Sequence, residues 1–328
     1  DNYFYVVDEN HVFYKYEDIK TDTEPLETGI TWDTTSNANV EDIIAFEDSI
    51  VVFTNAGGQA RIYQMDSIND TPTLVYESNT ENSTYWNGRS AFGIKSYDNG
   101  LGQYVLAGCY GRDPAARDLL LSSDGGRTFN VIKKTSNNDT TVNSHWHDVA
   151  FDQYHGYIWA SEGDGVNNRG VHFSDDWGST WYTLTPLGTH QPTSVIPFPE
   201  RVVFGRDSYG TGIDYYTKPT LATDYDFGEN EIKPLKEFKN SNSSAYQYYG
   251  NGEVHDGSEG YMSFSVFPDQ NPKLIAGTGD GGKSFHFLFM GDNVNSKVIH
   301  TFFGIDKEYV YAYGYDGALY FAERVEWE

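Results

Sequence analysis

Two segments of the chain repeat one another, and that repeat narrows the fold more than any other feature. LLLSSDGGRTFNVI (119–132) aligns with GVHFSDDWGSTWYTL (170–184). Both carry Ser-X-Asp-X-Gly-X-Thr-aromatic: Ser122, Asp124, Gly126, Thr128 and Phe129, then Ser174, Asp176, Gly178, Thr180 and Trp181. The two aspartates stand 52 residues apart, the spacing of a recurring structural unit. The chemistry of the unit is that of a tight turn. Asp bonds nearby backbone N–H groups, Gly supplies a conformation other residues avoid, hydroxyls satisfy further turn groups, and the aromatic packs back under the hairpin.

A third stretch, TGDGGKSF (278–285), places Asp280 at twice that period beyond Asp176. It overlaps KLIAGTGDGG (273–282), which aligns better with YIWASEGDG (157–165), so Asp280 is expected in a different turn. On that alignment IVVFTNAGG (50–58), YVLAGCYGRD (104–113), YIWASEGDG, RVVFGRDSYG (201–210), KLIAGTGDGG and YVYAYGYDG (309–317) are equivalent second strands. Seven strand groups follow, starting near residues 1, 43, 88, 145, 193, 245 and 297. Aromatics at 16% and 33 glycines suit short strands and tight turns, and no segment has a credible helical pattern. The expectation is an all-β chain: one β-propeller domain over 1–328, with six or seven four-stranded blades. Six follow if the first and last groups share a blade. Seven, the favoured number, follow if they do not. Closure across the termini removes exposed sheet edges.

The repeat resembles the Asp-box, or BNR repeat, of sialidase-like β-propellers. That resemblance implies the fold and covers about half the blades. Sialidases of this kind carry an Arg triad, an Arg-Ile-Pro ahead of the first box, a Tyr–Glu nucleophile pair and an Asp acid. This chain has no Arg-Ile-Pro, and spacing assigns no Tyr/Glu pair. Propeller polysaccharide lyases are similar in pairing His and Tyr with an Arg that neutralises a uronate, a role that would suit Arg89, His145 and Arg206.

Propeller geometry ranks the remaining candidates. Loops entering the innermost strand and loops joining the second to the third strand share one face; the other turns share the opposite face. Asp124 and Asp176 then belong to the far face, as scaffold. The mouth collects Arg89, Arg112, Asp113, His145, His147, Asp164, Arg206, Asp207, Glu253, His255 and Asp280, a mixed-charge set suited to a ligand. His155 falls on the far face, exposed. His145 and His147 admit three readings. They supply two ligands to a divalent metal (zinc, manganese or calcium), with Asp164 or His255 as a third; they act as acid or base on a glycan; or they line a polar funnel.

Composition limits the partners. With 48 acidic against 22 basic residues and a net charge of -26, the surface repels nucleic-acid phosphate and anionic lipid. It suits a salt-rich or calcium-rich extracellular setting. The single Cys109 excludes an internal disulfide, no apolar run is long enough for membrane insertion, and Asp1 begins no signal-peptide pattern. Sequons at Asn69, Asn82, Asn138 and Asn242 arise at about the chance rate in a chain rich in Asn, Ser and Thr. The favoured function is an extracellular recognition module that binds a surface glycan or glycoprotein through the mouth, on a cell surface or as a virion receptor-binding part. The alternative is a glycan-active enzyme, a glycoside hydrolase or polysaccharide lyase, drawing on His145, His147, Asp164, Arg89 and Arg206.

Overall fold

Short apolar runs cut by Gly, Asp and Asn leave no room for helices, and among the described residues every regular element is a strand. The computed structural model describes residues 3–8, 10–17, 22, 24–32, 39–56, 59–78, 84–85, 93–111, 117–135, 145–163, 170–184, 192–206, 212–218, 233–237, 252–254, 257–264, 274–290, 301–305, 309–313 and 319–323. No helix there is long and apolar enough to cross a membrane.

The strands form successive antiparallel sheets, each from one continuous stretch of chain. The first holds β1 (Phe4–Val7), β2 (Val12–Tyr16) and β3 (Glu27–Thr31), and the second β4 (Asn39–Ala45), β5 (Ile50–Ala56), β6 (Gln59–Met65) and β7 (Thr73–Glu77). A ribbon of β8 (Thr84–Tyr85) and β11 (Tyr110–Gly111) flanks the third sheet, made of β9 (Ile94–Asp98), β10 (Gln103–Gly108), β12 (Asp118–Ser122) and β13 (Asn130–Lys134). The fourth has β14 (His145–Asp152), β15 (Tyr157–Gly163), β16 (Gly170–Ser174) and β17 (Tyr182–Leu184). The fifth has β18 (Pro192–Pro197), β19 (Arg201–Arg206), β20 (Gly212–Thr217) and β21 (Lys233–Glu237). The sixth has β22 (Gly252–Val254), β23 (Gly260–Phe264), β24 (Leu274–Thr278) and β25 (His286–Met290), and the last β26 (Thr301–Ile305), β27 (Tyr309–Tyr313) and β28 (Leu319–Glu323).

The core explains why these sheets stand side by side. Each apolar cluster draws on two consecutive sheets. Phe13 and Trp32 meet Val52 and Met65; Phe53 and Ile62 meet Val105 and Leu120; Leu106 and Leu119 meet Val149 and Ile158. Trp159 and Phe173 meet Phe204 and Tyr216, and Phe198 and Val203 meet Met262 and Phe285. The fourth sheet is thus covered on both faces, and β15 and β16 are buried at every position. Two-faced burial accounts for the continuous apolar character of YIWA, where a one-faced sheet would alternate. Each large side chain buried this way contributes roughly 1.5–3 kcal/mol.

The aspartate turns join third to fourth strands and seat each sheet on the one before it. Ser122 Oγ donates to Asp124 Oδ1 at 2.8 Å, Gly126 N donates to Ser122 Oγ at 2.8 Å, and Thr128 donates from N and Oγ1 at 2.9 and 2.6 Å. Asp176 repeats this with Ser174, Gly178 and the Thr180 N–H. So does Asp280: Thr278 Oγ1 donates to it at 2.7 Å, and Ser284 donates from N at 2.9 Å and Oγ at 2.7 Å. The expectation for Asp280 is therefore corrected. LIAGT (274–278) is a third strand, because the short β22 and then β23 fill the first two places of that sheet. Thr278 and Ser284 exchange the two hydroxyl types, which hides the match. A Cβ at Gly126 (φ +84°) would lie 2.2 Å from Val51, and one at Gly178 (φ +91°) 2.8 Å from Ile132, side chains of the preceding sheet. Only glycine permits that approach.

Candidate functional site

The innermost strands share an irregularity that the alternation of the sequence conceals. Pairing slips by one residue at Glu41 in β4, His147 in β14, Thr193 in β18 and Phe303 in β26. Each slip is a β-bulge, which turns the following residue out of the regular alternation. In β14 that residue is Asp148, fully buried. Its carboxylate accepts N–H bonds from Val149 at 2.9 Å, from Val195 in β18 at 2.8 Å and from Gly93, just before β9, at 3.4 Å. It thereby ties three innermost strands whose inner edges have no further strand to pair with. Burial pushes the Asp148 carboxyl up to about 6, against the pull of Lys95 and of those N–H groups. Asp42, which accepts the Ile43 N–H at 2.8 Å, holds the equivalent place in β4. Burial raises it to about 6 as well, opposed by that N–H and by Lys95. Two carboxyls that titrate near neutrality thus lie within the field of one half-buried lysine.

Where β14 begins, three rings lie in succession, tilted against one another by 41° and 53°. His145 and His147 are 2% and 4% exposed, with ring centres 4.7 Å apart, and the half-buried Tyr110 lies 3.7 Å from His145. Tyr110 belongs to the β8–β11 ribbon, which stands beside β14. His147 Nδ1 is 2.8 Å from the Pro192 carbonyl oxygen, which fixes that nitrogen as the N–H donor. The ring rests on Gly163, where a Cβ would come within 1.9 Å of Cε1.

Several expected site residues lie outside the described residues: Arg89, Arg112, Asp113, Asp164, Asp207 and His255. The backbone places Arg206 at the end of β19 and Glu253 inside β22, not ahead of that sheet's first strand. Asp280 leaves the mouth for the opposite end of its sheet, as its turn geometry requires. His145 and His147 are brought together as expected, through a bulge and not through plain alternation. Among the described residues no group of three His, Cys, Asp or Glu side chains gathers as a metal site. His155 is exposed, as expected, and its Nδ1 lies 3.5 Å from Asp152 Oδ1 and 3.3 Å from Lys218 Nζ. Lys218 and Asp152 form a buried ion pair between the fourth and fifth sheets. Burial lowers the lysine to about 8 against the pull of Asp152. Sequence reasoning passed over Asp42, Lys95 and Asp148. Two of them had a signal: EDIIAF (41–46) and HDVAF (147–151) place an Asp at the same step before an apolar run.

No protein-family model matches the chain, and no curated protein matches it. Solved structures do. A Pseudomonas aeruginosa periplasmic gluconolactonase is 12% identical with a TM-score of 0.58, covering 98% of this chain and 90% of its own. A mutant Trypanosoma rangeli sialidase displaying trans-sialidase activity is 9% identical with a TM-score of 0.51, covering 87% of this chain and 53% of its own. A Mycobacterium tuberculosis puromycin-hydrolyzing peptidase is 10% identical with a TM-score of 0.50, covering 77% of this chain. The chain spans only 38% of that peptidase's length. The fold is a β-propeller. At these identities the likeness speaks for the fold alone.

Proposed function

We propose that the chain is an extracellular recognition module that binds a saccharide of a surface glycan or glycoprotein at its mouth. In this reading seven blades close across the first and last sheets, and the setting is a cell coat or a virion surface. The observation that carries it is the ring ladder of Tyr110, His145 and His147, which rises from the buried innermost strand to a half-buried tyrosine. Aromatic faces at the rim of a concave polar site are suited to sugar rings. Binding is favoured over cleavage because the described acid–base groups are held by the scaffold. Asp148 accepts three backbone N–H bonds, and His147 is fixed on Pro192.

A second reading, a glycan-active enzyme, has its own support: Asp42 and Asp148 both titrate near 6 beside Lys95. A divalent metal on His145 and His147 belongs to that reading, and metal analysis of the purified protein checks it. An array of neutral and anionic glycans separates the two. Recognition requires retention of a glycan without new reducing ends or unsaturated uronate, and a loss of about tenfold or more in Tyr110→Ala, the scale of one lost aromatic stack. Turnover that disappears in Asp148→Asn, or full binding of every retained glycan by Tyr110→Ala, contradicts it.

A further inference from the structure

One difference among the three aspartate turns bears on backbone conformation. Between the Asp and the closing Gly, the turns of the third and sixth sheets have Gly125 (φ +71°) and Gly281 (φ +70°). The turn of the fourth sheet has Trp177, held at φ +59°. This is the left-handed region, which glycine enters freely and a bulky L side chain rarely adopts. The turn itself needs no tryptophan there, since its hydrogen bonds match those of the other two. A strained residue that the scaffold does not require points to a role outside the scaffold.

The indole has a defined place. It is 36% exposed and stacks on Tyr104 with ring centres 4.6 Å apart and planes at 25°. Tyr97 stacks on Tyr104 at 6.3 Å and on Phe151 at 5.7 Å, so four rings from the third and fourth sheets make one continuous platform. The turn linking Tyr97 to Tyr104 carries exposed Asp98 and Asn99, and Leu101 at 95% exposure. The platform lies at the end of the sheets that bears the aspartate turns, away from the ring ladder of the mouth.

We infer that Trp177, with Tyr104, Tyr97 and Phe151, forms a second glycan-binding site that takes a neutral pyranose. The negative face of the indole attracts the polarised C–H bonds on one face of a sugar ring. Asp98, whose Oδ1 accepts the Gly100 N–H, offers its second oxygen to a sugar hydroxyl, and Asn99, whose Oδ1 accepts the Leu101 and Gly102 N–H groups, offers its amide N–H. With a net charge of -26, the protein disfavours sialylated or uronate chains and selects uncharged ones.

Position 177 supplies its own control, because glycine is what the other two turns use. Trp177→Gly is expected to keep the thermal midpoint or raise it. Titration with hexaoses of β-1,4-glucose, α-1,4-glucose and β-1,4-mannose, followed by tryptophan fluorescence and calorimetry, is expected to show binding of at least one by the wild type. Trp177→Gly should weaken that binding about tenfold or more, while Tyr110→Ala at the mouth leaves it unchanged. Trp177→Asn, which also tolerates the left-handed region, serves if the glycine variant folds poorly. Unchanged affinity in both variants, or wild-type binding confined to galacturonate or sialic acid oligomers, overturns the inference, as does no binding at millimolar sugar.

Discussion

Asp148 shows how one residue can be both structural and titratable. A carboxyl with a raised folded value stabilises the fold in its protonated form. That contribution is complete below the ordinary carboxylate range and is lost as pH rises through the folded value, here between about 4 and about 6. The shift corresponds to about 3 kcal/mol at most for a group this buried. Asp124, Asp176 and Asp280 act in the opposite sense. Partial burial pushes Asp124 and Asp280 up, but turn hydrogen bonds outweigh it, and Asp176 is held down first by the Thr180 N–H. Their contribution is present above the ordinary range and lost as pH falls below it. Urea unfolding across pH 3–8 should therefore find greatest stability near pH 4, and Asp148→Asn should flatten the fall between about pH 4 and 6. An unchanged slope in that variant would contradict the assignment. His145 and His147 were legible in the sequence because their spacing stands out. Asp148, their neighbour, was not, because its environment comes from a bulge and from N–H groups of two other sheets.

At the scale of elements, the strands were largely readable, since Gly- and Asp-rich turns mark their ends. Five of the six proposed second strands are second strands. The exception, LIAGT (274–278), moved one place outward because the three-residue β22 is too short to register as a strand in the sequence. Ties between neighbouring sheets were hidden, since their members lie far apart in the chain. Lys218 and Asp152 are the clearest case. Removing one partner of a buried pair leaves an uncompensated charge, so Lys218→Met should cost about 3–5 kcal/mol. Asp152→Asn combined with Lys218→Met should recover a large part of that loss, measured by chemical denaturation. Additive losses in the double variant would show that the pair is not the tie described. Within the fourth sheet, Glu162, His172 and Thr183 form a comparable side-chain relay across β15, β16 and β17.

For the whole molecule, the succession of sheets, with a shared core between consecutive pairs from the first to the sixth, was foreshadowed by the repeat, while the ligand-facing end was only partly so. Charge, aromatic content and the two histidines suggested a ligand-facing end. The ring ladder depends on Tyr110 crossing from the β8–β11 ribbon to His145, a contact that no periodicity reveals. The most direct test of the saccharide-binding mouth is a crystal structure of the protein with an oligosaccharide selected on the array. A sugar ring against Tyr110, at the end of the molecule where β14 begins, is the expected result. Sugar bound only elsewhere on the protein, with the Tyr110 end empty, would contradict it.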